Sequence, residues 1–247
     1  MRVIAAGTRG DNPLYNRIMG LSITSSPVQI RCEGVLFDMD GILISSLGIV
    51  ERTWTKWALI RGMDPERVLN VIHGRRAFDS MTLLRPDLDA KVEMKILEDI
   101  EVQDSDGLRM LPGVLELLAA LPKDRWTVVT SATERVARVR LAAGGIPVPE
   151  RIVQAESVTE GKPHPVPYLA GAALLGFAPE ECVVFEDSSS GVKAGHEAGC
   201  IVVATTFSHP VDSLEGADYL IEDVTGVGVE ILPGNQGLVL KLTALAG

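Results

Sequence analysis

The sequence predicts an α/β fold, because short apolar runs alternate along it with stretches of helical periodicity. The apolar runs are typical of buried parallel strands and lie at residues 34–37, 126–130, 182–185 and 201–204. The helical stretches lie at residues 133–143, 165–175 and 191–198. Such alternation indicates a parallel sheet covered by helices on both faces, so we expect a Rossmann-like three-layer parallel sheet core.

A long interval without a convincing strand predicts an all-helical cap domain inserted into this core. Between Gly48 and Leu111 the pattern is helical, over residues 49–60, 65–72 and 87–100. Asp64 is expected to cap the second of these helices. The predicted domains are an N-terminal extension that need not be ordered, a core in two segments, a cap and a C-terminal tail, at residues 1–33, 34–47 with 112–230, 48–111 and 231–247.

The charge and composition argue against nucleic-acid and membrane partners. Of 247 residues, 23 are Lys or Arg and 33 are Asp or Glu, a formal net charge of -10, and aromatic residues make up 4%. Phosphate backbones and anionic lipids repel such a chain, and no run approaches the roughly 18 apolar residues of a spanning helix. With three scattered cysteines and no secretory pattern in residues 1–30, we expect a cytoplasmic monomer or small homo-oligomer.

Two acidic pairs follow predicted strands and point to a metal site. Asp38 and Asp40 follow the first strand, and Glu186 and Asp187 follow the run at 182–185. Ligands of open α/β sheets bind at the carboxyl ends of the strands. If the two strands are neighbours, four carboxylates converge, and their mutual repulsion favours a divalent cation. Ligands that are all oxygen favour Mg²⁺ over Zn²⁺.

Two further polar residues fall at the same predicted edge of the sheet. Ser131 follows the run at 126–130 and, with Glu134, has the S-x-x-E pattern of a capping box, where a helix N-terminus can also bind a phosphate oxygen. Lys162 lies in a loop flanked by Gly and Pro. Taken alone, a loop lysine is usually solvated and an Asp-Gly sequence is compatible with a plain turn. The ordered combination is what indicates a functional site.

This ordered set, an acidic pair, a Ser, a Lys and a second acidic pair, resembles the haloacid dehalogenase-like hydrolase superfamily, in its phosphatase branch with a helical cap. The resemblance spans about residues 34–223. The stretches at 161–165 and 185–191 look like those of sugar- and polyol-phosphate phosphatases and β-phosphoglucomutases. The resemblance implies a Mg²⁺-dependent phosphoric monoester hydrolase that acts on a small phosphorylated metabolite, a sugar or polyol phosphate.

The resemblance also implies a role for each site residue. Asp38 would be the nucleophile that forms an aspartyl phosphate, and Asp40 would act as general acid and then as general base. The transferring phosphoryl group would be bound by Ser131, Ala132 and Lys162. Mg²⁺ would be held by the backbone carbonyl of Asp40 and by the carboxylates of Asp38 and Asp187. Glu186 would bind it directly or through water.

A basic turn in the cap resembles the substrate-specificity loop of the same family. It would contact the phosphate or the sugar hydroxyls through His73, Arg75 and Arg76, since arginine can bind phosphate bidentately. The alternative is a solvated helix end, because Arg and His suit helix C-termini and Gly ends helices.

Two positions depart from the usual first motif of the family. Ile42 stands where Thr or Val is frequent, and Ser45 stands where a supporting Asp is common. We expect weaker support of this loop at Ser45, without loss of the nucleophile.

Three other functions stay open on the sequence. A β-phosphoglucomutase would use the same core and the same residues. A 2-haloacid dehalogenase needs Asp38 but not the acid/base residue two positions on, so Asp40 argues against it. The third alternative is a non-catalytic binding protein with this fold. The presence of every residue that the chemistry requires argues against it.

Overall fold

The computed structural model describes residues 27–72, 76–104 and 106–242. The strands, in chain order, are β1 (Val28–Cys32), β2 (Gly34–Phe37), β3 (Ile44–Ser45), β4 (Arg109–Met110), β5 (Trp126–Val128), β6 (Cys182–Glu186), β7 (Ile201–Thr205), β8 (Tyr219–Ile221), β9 (Gly228–Ile231) and β10 (Leu238–Leu242). The α-helices are α1 (Leu47–Ile60), α2 (Pro65–Ile72), α3 (Ala77–Leu84), α4 (Ala90–Glu101), α5 (Val114–Ala120), α6 (Glu134–Ala143), α7 (Val166–Leu175) and α8 (Ser189–Glu197).

The centre of the protein is a parallel sheet of five strands in the order β5-β2-β6-β7-β8. Its strands read as continuous apolar runs because both faces are buried. Phe37 and Val183 face a cluster that includes apolar residues of α5 and α6, whereas Leu36 and Val184 face a second cluster with α7 and α8. The predicted three-layer core is therefore confirmed.

The helices inserted after β2 and β3 pack around a hydrophobic cluster of their own. Trp57 is fully buried there, and its indole N–H donates to Glu93 Oε2 at 2.9 Å. Asp64 Oδ1 accepts from the backbone N–H of Glu66 at 3.1 Å, which confirms the predicted cap. Helix α3 has no counterpart in the predicted pattern. Because this cluster is separate from the two clusters of the central sheet, we propose that the inserted helices form a cap domain and that the sheet with its helices forms the core.

The short strands β3 and β4 pair antiparallel where the chain leaves and re-enters the core. Strand β4 lies at Arg109–Met110, inside the interval in which the sequence predicts no strand. Two residue pairs at the base of the inserted helices hold the two connecting segments together. A pairing of this length leaves no recognisable pattern in the sequence.

The predicted extension and tail are wrong in part, because each contributes a strand. Strand β1 lies within residues 1–33 and pairs antiparallel with β10, which lies within residues 231–247 and also pairs with β9. Ile30 and Leu240 are buried against the same cluster as the central sheet. Strand β1 pairs with a strand near the other end of the chain, so it could not be assigned locally. Strand β10 also pairs with β9, which is close in sequence, and this pair was not predicted. Residues 1–26 and 243–247 lie outside the described parts of the chain.

Candidate active site

The carboxyl ends of β2 and β6 bring together three of the four carboxylates that the sequence predicts to converge. The strands are neighbours in the sheet, with Phe37 opposite Phe185. As a result, carboxylate oxygens of Asp38, Glu186 and Asp187 lie within 4.8 Å of one another, and all three residues are buried. Oxygen atoms are the only donors in this cluster, which suits a hard divalent cation such as Mg²⁺.

The ammonium group of Lys162 lies between two of these carboxylates. Its Nζ donates to Asp38 Oδ1 at 2.7 Å, to Glu186 Oε1 at 2.6 Å and to the carbonyl oxygen of Val129 at 3.1 Å. Burial acts to lower the pKa of Lys162, but the two carboxylates outweigh it and raise that pKa. The lysine is therefore a permanent positive charge in a buried site.

Glu186 is completely buried, and protein donors occupy both of its carboxylate oxygens. Oε1 accepts from Lys162 and from the Tyr168 hydroxyl at 2.7 Å. Oε2 accepts from the backbone N–H groups of Asp187 and Ser188 at 2.9 and 3.0 Å and from the Ser188 hydroxyl at 3.1 Å. Burial acts to raise the pKa of Glu186, but Lys162 and these hydrogen bonds lower it. Glu186 thus fixes both the lysine and the loop after β6.

The two aspartates of the cluster both have raised pKa values. Burial raises the pKa of Asp38 to about 7, although Lys162 acts in the opposite direction. Burial also raises the pKa of Asp187 well above its usual range, and the negative charge of Glu186 adds to this. Three carboxylates face one ammonium group, so the cluster as built favours either a proton or a cation beside the two aspartates.

The loop after β2 approaches Asp187 closely at Gly41. This residue has a φ of +81°, and a Cβ atom there would overlap the carboxylate of Asp187. Only glycine combines that backbone conformation with that approach. The Ser208 hydroxyl donates to Asp187 Oδ2, which holds this carboxylate in place beside the glycine.

The Asp40 carboxylate is not part of this cluster and is held by two groups that the sequence analysis did not identify. Its Oδ1 accepts from the Ser46 hydroxyl and from Arg140 Nη1 at 3.0 Å. The sequence analysis expects weaker support of this loop at Ser45, and in the structure the neighbouring Ser46 supplies a hydrogen bond to Asp40. Arg140 belongs to the buried face of α6 with Ala137 and Leu141, and a charged residue at such spacing is the signal that could have revealed it.

A cavity of about 120 Å³ lies between these residues and the cap. Its core side includes Asp38, Asp40, Ser131, Ala132, Lys162, Asp187 and His209. Its cap side combines apolar groups with two acids, namely Val50, Trp54, Ile72, Ala77, Met94, Leu97, Glu98 and Glu101. The sequence analysis did not identify His209, which lies next to Ser208 on the loop after β7, or the two glutamates.

The predicted capping box at Ser131 is wrong. Helix α6 begins after Thr133, whose side chain accepts from the backbone N–H of Val136 at 3.5 Å, while the N–H of Glu134 donates to Glu156. Ser131 precedes the helix and lines the cavity instead. The helix therefore begins two residues later than the S-x-x-E pattern predicts.

Arg76 reaches the core and not the cavity. Its guanidinium pairs with Asp79 at 2.8 Å and donates to the carbonyl oxygens of Val158 and Thr159 at 2.9 and 3.2 Å. A Cβ atom at Gly161 would lie 2.6 Å from Arg76 Nε, so the arginine packs directly over the loop that carries Lys162. His73 and Arg75 lie outside the described residues.

The sequence and structure match known proteins over most of the chain. The model of the haloacid dehalogenase-like hydrolase family matches residues 32–199. Hexitol phosphatase A of Escherichia coli is 41% identical over 215 residues, which are 85% of this chain and 100% of that protein. Glycerol-1-phosphate phosphohydrolase 2 of Saccharomyces cerevisiae is 34% identical over 223 residues, or 85% of this chain and 89% of that protein.

A solved structure shows the same fold at lower identity. The β-phosphoglucomutase of Clostridium difficile superposes with a TM-score of 0.66, at 20% identity, over 78% of this chain and 92% of that one. The chain belongs to the haloacid dehalogenase-like hydrolase family. The predictions of this family and of a phosphatase are confirmed. No helix within the described parts of the chain is long and apolar enough to cross a bilayer.

Proposed function

We propose that this protein is a Mg²⁺-dependent phosphatase that hydrolyses a small sugar or polyol phosphate through an aspartyl phosphate on Asp38. The observation that carries the proposal is the buried cluster of Asp38, Glu186 and Asp187 around Lys162, at the floor of a cavity that the cap closes. A carboxylate can attack a phosphate monoester only where the negative charge of both is compensated.

The proposed reaction has two steps at the same phosphorus atom. An Asp38 oxygen forms a bond to phosphorus while the bond to the alcohol oxygen breaks, and Asp40 gives that oxygen a proton. Water then attacks the aspartyl phosphate, Asp40 takes a proton from it, and phosphate leaves with Asp38 restored. Lys162, with Ser131 and Ala132 at the cavity wall, binds the phosphoryl oxygens.

The metal would be held by oxygens of Asp38, Asp187 and the Asp40 backbone carbonyl, and by Glu186 directly or through water. When bound, Mg²⁺ would neutralise charge on the phosphoryl oxygens. The donor set fits it, because every ligand is an oxygen and Lys162 alone leaves the cluster negative.

The substrate class rests on the relatives and on the cap wall. Two relatives that each cover 85% of the chain are named for hexitol phosphate and glycerol 1-phosphate, which are polyol phosphates. Carboxylates of Glu98 and Glu101 border the cavity beside apolar side chains, and carboxylates accept hydrogen bonds from hydroxyl groups. We also expect a cytoplasmic monomer or small homo-oligomer, with a phosphorylated metabolite as its partner.

A panel of phosphate esters tests this function. We expect inorganic phosphate from hexitol, glycerol and sugar phosphates with Mg²⁺, and its loss on addition of EDTA. β-Glucose 1-phosphate distinguishes the alternative, because a β-phosphoglucomutase would convert it to glucose 6-phosphate without releasing phosphate. Undiminished turnover after removal of divalent metal would contradict the proposed mechanism, and activity on none of the esters would contradict the substrate class.

Mg²⁺ is expected to stabilise the protein more at about pH 8 than at about pH 5. The raised pKa of Asp38, about 7, lets the folded state keep a proton that the unfolded chain loses above about pH 4. Between about pH 4 and about pH 7 the folded state binds more protons than the unfolded chain. The free energy of unfolding of the metal-free protein therefore falls as pH rises through this range. The lowered pKa of Glu186 affects stability only at pH values below the usual pKa of a glutamate, so it does not offset this fall in stability.

Thermal unfolding with Mg²⁺ and with EDTA at both pH values measures this effect. The increase in Tm caused by Mg²⁺ should be larger at the higher pH, because the cation binds carboxylates that are then ionised. In Asp38→Asn the difference between the two pH values should shrink. An equal increase at both pH values in the unmodified protein would contradict the assignment of the cluster.

A further inference from the structure

Arg140 is a buried arginine that joins the acid/base residue to the cap. It extends from α6 in the core, and its side chain is 7% exposed. Nη1 donates to Asp40 Oδ1 at 3.0 Å, and Nη2 donates to Glu101 Oε1 at 3.2 Å. Glu101 is the last residue of the cap helix α4, so one guanidinium contacts the loop after β2 and the cap together.

The other arginines of the same helix differ from Arg140 in burial and in partners. Arg135 pairs with Asp99 and Arg138 pairs with Glu134, and their side chains are 50% and 42% exposed. Exposed pairs of this kind contribute little to stability. A guanidinium kept away from water costs free energy unless its partners are well placed, so the position of Arg140 depends on both carboxylates.

The two contacts to Asp40 fall on the same oxygen atom. Oδ1 accepts from Ser46 and from Arg140, and the Asp40 side chain is 30% exposed at the cavity wall. Oδ2 accepts no hydrogen bond from residues 27–72, 76–104 or 106–242. Within the described parts of the chain, one oxygen is therefore fixed, and the other is left for proton exchange with a substrate or water.

We propose that Arg140 is a positioning residue that orients Asp40 for proton transfer and does so in concert with the cap through Glu101. The proposal rests on the proposed function. Arg140 holds Oδ1, which turns Oδ2 toward the oxygen that leaves phosphorus and later toward the attacking water. Because Glu101 shares the guanidinium, seating α4 over the core completes the arrangement, and the acid/base group is in place when the cavity is closed.

Two substrates with different leaving groups separate positioning from general structural support. An alkyl phosphate needs the proton from Asp40 as its P–O bond breaks, whereas p-nitrophenolate leaves without one. Both substrates yield the same aspartyl phosphate, whose hydrolysis needs Asp40 to take a proton from water. Misplacing Asp40 should therefore leave the first turnover of p-nitrophenyl phosphate fast and slow the second step for every substrate.

The experiment compares Arg140→Met and Arg140→Lys with the matched control Arg138→Met on the same helix, in the presence of Mg²⁺. We expect Arg140→Met to lower kcat on glycerol 1-phosphate by about 100-fold, the range of general acid–base catalysis, with little change in KM. On p-nitrophenyl phosphate it should show a burst of p-nitrophenol close to the enzyme concentration. Arg140→Lys, which keeps the charge but not the two-pronged geometry, should show a smaller burst.

Glu101→Gln tests the cap half of the proposal and should lower kcat in the same direction by a smaller factor. Circular dichroism tests whether each variant is folded. If Arg140→Met does not fold, the comparison is made with Arg140→Lys. Equal losses on both substrates without a burst, or the same kinetics in Arg138→Met, would overturn the role of Arg140. An unmodified protein that releases phosphate from neither substrate would instead overturn the proposed function itself.

Discussion

Replacing Asp38 with Asn should lower phosphate release by about 10⁴-fold or more, because an amide cannot serve as the nucleophile. Such a loss corresponds to about 5.5 kcal/mol of transition-state stabilisation. The shape of the side chain is retained, so the cavity and the position of Lys162 should change little. Phosphate release from glycerol 1-phosphate, measured with Mg²⁺ in excess, gives the ratio directly.

The stability of Asp38→Asn distinguishes loss of the nucleophile from loss of the fold. Burial raises the pKa of Asp38 to about 7, so the ionised carboxylate is unfavourable in the metal-free protein. Removing it should leave the Tm in EDTA unchanged or higher, while the stabilisation by Mg²⁺ decreases. Asp124→Asn, at an exposed turn, is the control and should alter neither activity nor Tm. Activity of Asp38→Asn near that of the unmodified protein would exclude Asp38 as nucleophile.

Replacing Lys162 with Met should lower the free energy of unfolding by about 3–5 kcal/mol, more than any other substitution proposed for this protein. The ammonium group lies 2.7 Å from Asp38 and 2.6 Å from Glu186, and its side chain is 2% exposed. Without it, the carboxylates at this edge of the sheet have no compensating charge. Methionine fills a similar volume, so the effect reports the charge and not a cavity.

Urea unfolding in EDTA measures the loss, and Lys193→Met provides the control. Lys193 is 61% exposed and lies 3.7 Å from Glu197, so its replacement should change the free energy of unfolding by well under about 1 kcal/mol. Mg²⁺ should recover part of the stability of Lys162→Met, since a cation can take over the charge compensation. Equal stability of the two variants would show that Lys162 is not the electrostatic centre of the cluster.

The predicted fold followed from patterns that are local in the chain. Apolar runs and helical periods located β2, β6, β7 and α2 closely, because a buried strand or an amphipathic helix must show its burial in its own residues. Strand β1 was missed, since it pairs with β10 about two hundred residues farther along the chain. Sequence patterns therefore predict elements better than they predict long-range pairing.

The sequence by itself determined which residues stand at the ends of the strands, and with them the family and the acidic cluster. Asp38, Glu186 and Asp187 follow strands whose order brings them together, as the parallel sheet requires. Only the tertiary structure decided what surrounds Asp40, because Arg140 and Glu101 come from separate helices that the chain brings into contact by folding. A contact between distant elements depends on packing geometry, and no local spacing of residue types encodes it.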